Sequence, residues 1–488
     1  MKFNMQAIVK ITGVIVLLVA AAMLPPLAVS SAFGETAMIR AFLQSIVPLL
    51  LAGGGLLWVT KPLAGALRIR EGILVVALCW VLASLLGALP YAFSGAAPNF
   101  IDALFESASG FTTTGATLFE SLAALPKGLM FWRSLSHWIG GMGILVFAIS
   151  VLPALGIGAL NIAKAETPGP TVDKVTTRIS DNAKYLYILY ISFSVAEFLL
   201  LLCGGMDAYD AAIHTFGSVS TGGLSNYDDG LIGFDNTYIA LVIAFFCILS
   251  SVNFTVCNEL IHRRWGNFFK EPETRAFFFT IAAAAVFLCV CLRAGGFYDS
   301  VAACLKAAFL QVSAFVTTSG YVHADYAAWP AVCRFLLVAL LIVGGCSSST
   351  SGGMKVVRVQ VLFKLIRRGF HKRLHPRSVV AVKLANKPVS AENVSNITAF
   401  IFMYFILLFA GALILSLDGK DMTTSFSAVA TMLSNVGVGF GELDYTANYA
   451  IFSRPARLFL SFLMIVGRLE FFTILILLTP SYWRAARR

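Results

Sequence analysis

Charge is scarce in this chain. Only 12% of its 488 residues are Asp, Glu, Lys or Arg, against 58% hydrophobic residues, a balance that excludes an ordinary soluble protein. Histidine is rarer still, with six in all. His137 and His214 lack metal-ligand spacing and read as packing or hydrogen-bonding residues. The nine cysteines contain no Cys-x-x-Cys, are odd in number and lie mostly in apolar runs, so neither a disulfide framework nor a zinc site is implied. The absence of Gly-Lys-Ser/Thr excludes a phosphate loop. No cofactor is expected. The little charge present has a sign, +11 net, but the basic residues cluster between apolar spans. That is the positive-inside pattern of a protein set in membrane lipid, and nucleic acid is not expected as a partner.

What is there in quantity is apolar runs. The first, Ile8 to Val29, contains Lys10 and Pro25-Pro26 and closes in small residues. It exceeds the usual signal-peptide core, so a retained membrane helix is expected, with a secretory signal as the alternative. The second, Ala41 to Val59, precedes Lys61, Arg68 and Arg70 and should end in the cytoplasm. Four outward-and-return units follow. They use Gly72 to Leu89 and Leu129 to Leu152, then Tyr185 to Cys203 and Tyr238 to Leu260, then Ala276 to Leu292 and Ala331 to Ile366, then Ile397 to Leu417 and Leu458 to Leu478. Each returning run precedes basic residues: Lys164, Lys174 and Arg178; His262, Arg263 and Arg264; Arg367, Arg368, Lys372 and Arg373; Arg484, Arg487 and Arg488. The expected fold is an all-α polytopic membrane protein with both termini cytoplasmic. Two leading helices (1–70) precede four helix/pore-loop/helix repeats around a pseudo-fourfold axis (71–183, 184–274, 275–394 and 395–488), the third carrying an intramembrane loop.

Between the two spans of each unit lies a glycine loop: Phe111 to Thr117, Ser220 to Gly223, Thr317 to Tyr321 and Asn435 to Gly439. Their glycines lie about 100 residues apart, too far for a solenoid repeat. The segments before them, Ile101 to Ser109, Asp210 to Val219, Ser300 to Ala314 and Thr423 to Met432, are too short to span ~30 Å of hydrocarbon. Half-helices ending at membrane depth fit them, and their C-terminal ends favour a cation. The candidate ring is Thr113, Thr114 and Gly115; Ser220, Thr221 and Gly222; Thr318, Ser319 and Gly320; Asn435, Val436 and Gly437. Backbone carbonyls of such a ring can replace the water shell of a potassium ion, and glycine permits the angles this needs. Helix packing is the alternative for any one glycine. Asp102, Glu106, Asp228, Asp229, Asp325 and Asp444 would concentrate cations outside, or form a solvated rim.

Two further features break apolar runs. Gly344 to Gly353 interrupts the third returning span with polar residues, which must line water or be covered by protein. The expected role is a movable plug involving Gly345, Ser349, Thr350, Gly352, Gly353 and Lys355, with a plain connecting loop as the alternative. Arg468 lies in the last span, where a charge costs ~2.5–3.5 kcal/mol on insertion scales. It is expected to form an electrostatic barrier in the pathway, or else to pair with Glu470 or snorkel. An intramembrane serine protease using Ser319 or Ser351 is a competing reading, but no histidine has a fixed relation to either. An organic-solute transporter is another, though such proteins often carry inverted repeats.

The four loops, together with Phe131-Trp132-Arg133, His137 to Gly143, Gly352 to Val356 and Gly467 to Glu470, resemble the Trk/Ktr/HKT superfamily of cation transporters. Within it the chain is most similar to bacterial TrkH-type potassium uptake proteins, over nearly its whole length. The resemblance implies one pore per subunit, a homodimer in the bacterial inner membrane and a cytosolic, nucleotide-binding regulatory subunit of the TrkA type. Basic segments around Arg263 and from Arg367 to Arg377 would be its docking surfaces. Serine at the first glycine marks sodium-preferring relatives. Gly115 stands there, which implies potassium as substrate, held by carbonyls at and before each glycine.

Overall fold

The computed structural model describes residues 3–60, 69–143, 179–232, 236–261, 265–378, 380–384, 387–444 and 448–484. Six described helices are long and apolar enough to cross a membrane, and one bent helix pair could form a seventh span. The leading run forms Met5–Ala22 and Leu24–Ala32, divided at Met23. Prolines in the first turn of the second helix lack N–H groups a helix cannot use there. Thr36–Val59 packs against Met5–Ala22. A methyl group at Gly53 would lie 2.7 Å from Leu17 Cγ, so the small residue sets this close approach.

Four short helices follow the same rule. Phe100–Phe111, Ala208–Val219, Val301–Val316 and Met422–Ser434 are each capped by the preceding side chain, of Asn99, Asp207, Ser300 and Asp421. Each cap accepts a backbone N–H that the first turn leaves orphaned. The outgoing helices are Ile69–Gly87, Ile179–Cys203, Pro272–Ala294 and Ala391–Ser416.

The returning spans are not continuous. Tyr238 to Leu260 divides into Thr237–Ser251 and Phe254–Ile261, around an extended Val252. Leu458 to Leu478 divides into Arg454–Arg468 and Phe472–Leu478, bent by 118°, with Glu470 at φ +52°. These breaks correct the expectation of single helices. At the first break the backbone groups are satisfied by the distant segment 346–350, as buried polar groups require. Phe254 N donates to Ser348 O at 3.1 Å, Cys346 N to Ser251 O at 2.9 Å and Thr350 N to Ser250 O at 3.2 Å. The third span divides as expected into Ala331–Val343 and Val356–Leu374. The first begins with Lys127–Gly141, and its continuation to Leu152 lies outside the described residues. So do Lys61, Arg68, Lys164, Lys174, Arg178, His262, Arg263, Arg264, Arg487 and Arg488. All nine cysteines are free.

Candidate ion-conducting site

The four loops share a backbone conformation that local sequence alone does not enforce. Thr113, Thr221, Thr318 and Asn435 have φ of +57°, +56°, +58° and +55°, and a positive-φ glycine follows each at the second position. A threonine in this region is disfavoured, and such strain persists only where the surroundings impose it. The second glycines are Gly115, Gly223, Gly320 and Gly437. The expectation of Gly222 as the counterpart of Gly115 is thus corrected by one residue. Either member of the Gly222-Gly223 doublet satisfies the sequence pattern, and the left-handed Thr221 decides between them.

The loops close on one another in a ring. A methyl group at Gly115 would lie 2.4 Å from Gly222 O, and one at Gly223 only 1.6 Å from Ser319 O. One at Gly320 would lie 2.2 Å from Val436 O, and one at Gly437 2.2 Å from Thr114 O. Each glycine therefore meets the carbonyl of the residue one place earlier in the next loop, from first to second, third, fourth and back to first. Meanwhile the loop N–H groups turn back onto the half-helices. Thr114 N donates to Ser109 O at 2.9 Å, Gly222 N to Gly217 O at 2.8 Å, Gly320 N to Ala314 O at 3.0 Å and Val436 N to Thr431 O at 3.0 Å.

Nine residues before three of these glycines stands a polar side chain that grips the outgoing leg of its own loop. Glu106 accepts from Thr117 Oγ1 at 2.9 Å and from Leu118 N, and it pairs with Arg133 Nε at 3.0 Å, both side chains being buried. His214 meets Ser225 Oγ at 3.4 Å, fulfilling its expected hydrogen-bonding role. Gln311 accepts from His323 N at 3.2 Å. In the fourth loop the adjacent position serves: Ser427 Oγ accepts from Phe440 N at 2.6 Å. His137 is fully buried, yet neither ring nitrogen has a hydrogen-bond partner among the described residues.

Several of the acidic residues hold structure together, and Asp228 and Asp325 do so from exposed positions. Asp102 is buried and accepts from Arg457 Nη1 at 2.7 Å, and Glu106 is neutralised by Arg133. Asp325 accepts from the backbone of Ala327 and Ala328. Asp228 accepts from Ser121 Oγ, Leu122 N and Ala123 N, joining the segments that follow the first and second loops. Partial burial pushes its pKa up, but the bonds from Ser121, Ala123 and Leu122 outweigh this and hold the carboxyl below its ordinary value. Asp229 is exposed.

Residues 344–355 lie directly against the ring. Gly352 N donates to Thr318 Oγ1 at 2.7 Å, and a methyl group at Gly352 would lie 2.0 Å from Ser434 O. Ser349 Oγ donates to Cys346 O, Thr350 Oγ1 to Ser250 O and Lys355 Nζ to Ser351 O. A methyl group at Gly345 would lie 2.3 Å from Ser351 Oγ, and one at Gly353 2.8 Å from Gly344 Cα, so the segment folds back on itself. Glu273, on the outgoing helix of the same repeat, accepts from Ser347 N and Oγ at 2.6 Å each and from Val357 N at 3.2 Å.

Arg468 does not use Glu470. It donates to Thr350 O at 2.7 Å, Gly140 O at 2.8 Å and Gly141 O at 2.9 Å, tying the polar segment to the first returning helix. Glu470 accepts instead from Arg358 Nη2 at 2.7 and 2.6 Å. The Arg358 guanidinium also lies 3.9 Å from the Phe400 ring centroid, a favourable cation–π placement. Sequence reasoning missed Arg358 and Glu273, and within the second loop it gave Gly222 the place that Gly223 takes. Arg358 and Glu273 carried a usable signal, since each is a charge close to a membrane-depth break.

Comparison with known proteins decides the family. A family model described as TrkH, cation transport protein, matches residues 38–484. The chain belongs to this family. It is 36% identical over 485 residues to the Trk system potassium uptake protein TrkH of Salmonella typhimurium, covering 99% of this chain and 100% of that one. It is 32% identical over 487 residues to TrkG of Escherichia coli, covering 99% of each chain. The crystal structure of the potassium transporter TrkH from Vibrio parahaemolyticus superposes with a TM-score of 0.88 at 32% identity, over 99% of this chain and 100% of that one.

Membership of the TrkH family removes the protease reading: the chain is a membrane transport protein, not an enzyme. Ser319 Oγ donates to Ala314 O, and Ser351 Oγ contacts Ser349 and Lys355. Among the described residues of this TrkH protein, no group of three His, Cys, Asp or Glu side chains could hold a metal ion.

Proposed function

We propose that this TrkH family member carries potassium into a bacterium across its inner membrane, through the ring at Thr113 to Gly115, Thr221 to Gly223, Thr318 to Gly320 and Asn435 to Gly437. The observation that carries the proposal is the cyclic apposition of four glycines with four carbonyls of the neighbouring loops. Dehydrating a cation requires several oxygens held at once, and a closed backbone ring supplies them without side-chain charge. The four half-helices direct their C-terminal partial charge toward the same place. The relatives' names as potassium uptake proteins select the ion. The 344–355 segment serves as the gate, because its Gly352 contacts ring residue Thr318 and the end of the fourth half-helix.

The same reading divides the chain into two leading helices and four pore repeats, with the loops outward and the termini cytoplasmic. A homodimer with a TrkA-type regulatory subunit completes it, with the basic helix Val356–Leu374 as the route from docking to gate. The test is rubidium uptake into liposomes containing the purified protein, with potassium and sodium as competitors. Potassium should compete strongly and sodium weakly, and addition of the regulatory subunit with nucleotide should change the rate. Equal competition by the two ions sinks the potassium assignment.

A further inference from the structure

The ring has one irregular position. Between the left-handed residue and the positive-φ glycine, three loops carry a side chain: Thr114, Ser319 and Val436. The second loop has Gly222 there. The missing side chain is replaced from elsewhere. A Cβ built on Gly222 would lie 2.1 Å from His137 Nδ1 and 3.0 Å from both Cγ and Cε1, and all three nearest atoms belong to that imidazole. The same ring lies 3.9 Å from a Cβ built on Gly115, on the other side of the first joint.

Helix Lys127–Gly141 is shaped to deliver this ring. Arg133, His137 and Gly140-Gly141 fall one and two turns apart on one helix face. Arg133 holds the first loop through Glu106 and through Ala116 O at 3.2 Å. Gly140 abuts Phe111, where a methyl group would lie 1.8 Å from its carbonyl, and Gly141 abuts Ser220 Cα at 2.8 Å. The helix therefore lies behind the first and second loops together, with His137 in the gap left by Gly222. Burying an imidazole with no hydrogen-bond partner among the described residues costs about 1–3 kcal/mol, so hydrogen bonding to them gives no reason to place one here.

We infer that His137 is a positioning residue for cation discrimination: it supplies in trans the side chain that the second loop lacks and thereby fixes the width of the Gly115–Gly222 joint. The inference rests on the ring being the selective element, as proposed above. Removal of the imidazole lets the joint relax, admitting an ion of different size while leaving the other three joints in place.

A compensating pair of substitutions tests it. Gly222 lacks a positive φ, so alanine is compatible with its backbone, and the nearest obstruction to its Cβ is His137 itself. Three variants are reconstituted at full length: His137→Ala, Gly222→Ala and the double variant. Rubidium uptake is measured with sodium and potassium as competitors, alongside thermal unfolding in detergent. His137→Ala is expected to reduce the preference for potassium by about tenfold, equivalent to about 1.4 kcal/mol. Gly222→Ala alone should lower the unfolding temperature through its clash. The double variant should recover both properties, giving a coupling that neither single change predicts.

The inference is overturned if His137→Ala retains wild-type discrimination, or if the double variant is no better than the worse single one, failure to fold included. Wild-type protein that does not discriminate would refute the ring proposal instead. In that case, recovery of the unfolding temperature still reports separately on whether His137 and Gly222 occupy one space.

Discussion

Replacing Arg468 by alanine removes three charge-assisted hydrogen bonds at once, to Thr350 O, Gly140 O and Gly141 O. Only the first restrains the 344–355 segment directly, and the other two anchor the guanidinium on the first returning helix. A hydrogen bond to a charged group contributes about 1.5–3 kcal/mol. Losing the Thr350 bond should therefore raise the displaced population of the segment roughly ten- to a hundredfold. If the ring conducts cations as proposed, the change also removes a positive charge from its neighbourhood, and both effects act in the same direction. Arg468→Ala should accordingly raise basal rubidium flux into liposomes without any regulatory subunit. Arg468→Lys keeps the charge but offers no planar fork to carbonyls on two elements, so its flux should fall between wild type and alanine. Flux that is lost or unchanged in Arg468→Ala refutes the clasp and the barrier together. Glu470 gives an internal control, because its bond to Arg358 does not involve Arg468.

Gly115→Ser places a side chain at φ +79°, 2.4 Å from Gly222 O, and should relax discrimination between potassium and sodium in the competition assay. Unchanged discrimination there argues against the first loop as part of the filter. Arg133→Ala leaves Glu106 as a buried, unpaired carboxylate and should cost about 3–5 kcal/mol of stability, read as a lower unfolding temperature in detergent. The Asp228 joint should depend on pH only in acid. Its folded pKa is depressed, so its contribution is present above the ordinary carboxylate value of about 3.9 and is lost as pH falls below it. The protection of the Leu122 and Ala123 amides, taken relative to their intrinsic exchange at each pH, should therefore be constant through neutral pH and fall only in stronger acid.

How much of this was legible beforehand depended on whether a feature is local. The half-helices announce themselves through length, caps and flanking spans, and the polar break at 344–353 through its composition. Both are properties of a few consecutive residues. Glycine loops were visible too, but the doublet in the second could not be resolved, because its register follows from contact with Ser319 of the third loop. Glu106 read as an exposed acid because its partner Arg133 is 27 residues away. A pairing of Arg468 with Glu470 was the alternative that closeness in sequence suggested. Arg468 ends its helix, Glu470 lies in the break before the next one with φ +52°, and Glu470 instead meets Arg358, 112 residues away.

The ring is built by one polypeptide, and that has a consequence for how it can change. In a pore made from four identical subunits, a single codon alters every quadrant at once. Here the Gly437–Thr114 joint and the Gly223–Ser319 joint are separate addresses in one gene. Ion preference can therefore drift in increments of one quadrant, each tolerated or rejected on its own. The residues at the four matching places, Thr114, Gly222, Ser319 and Val436, are all unlike.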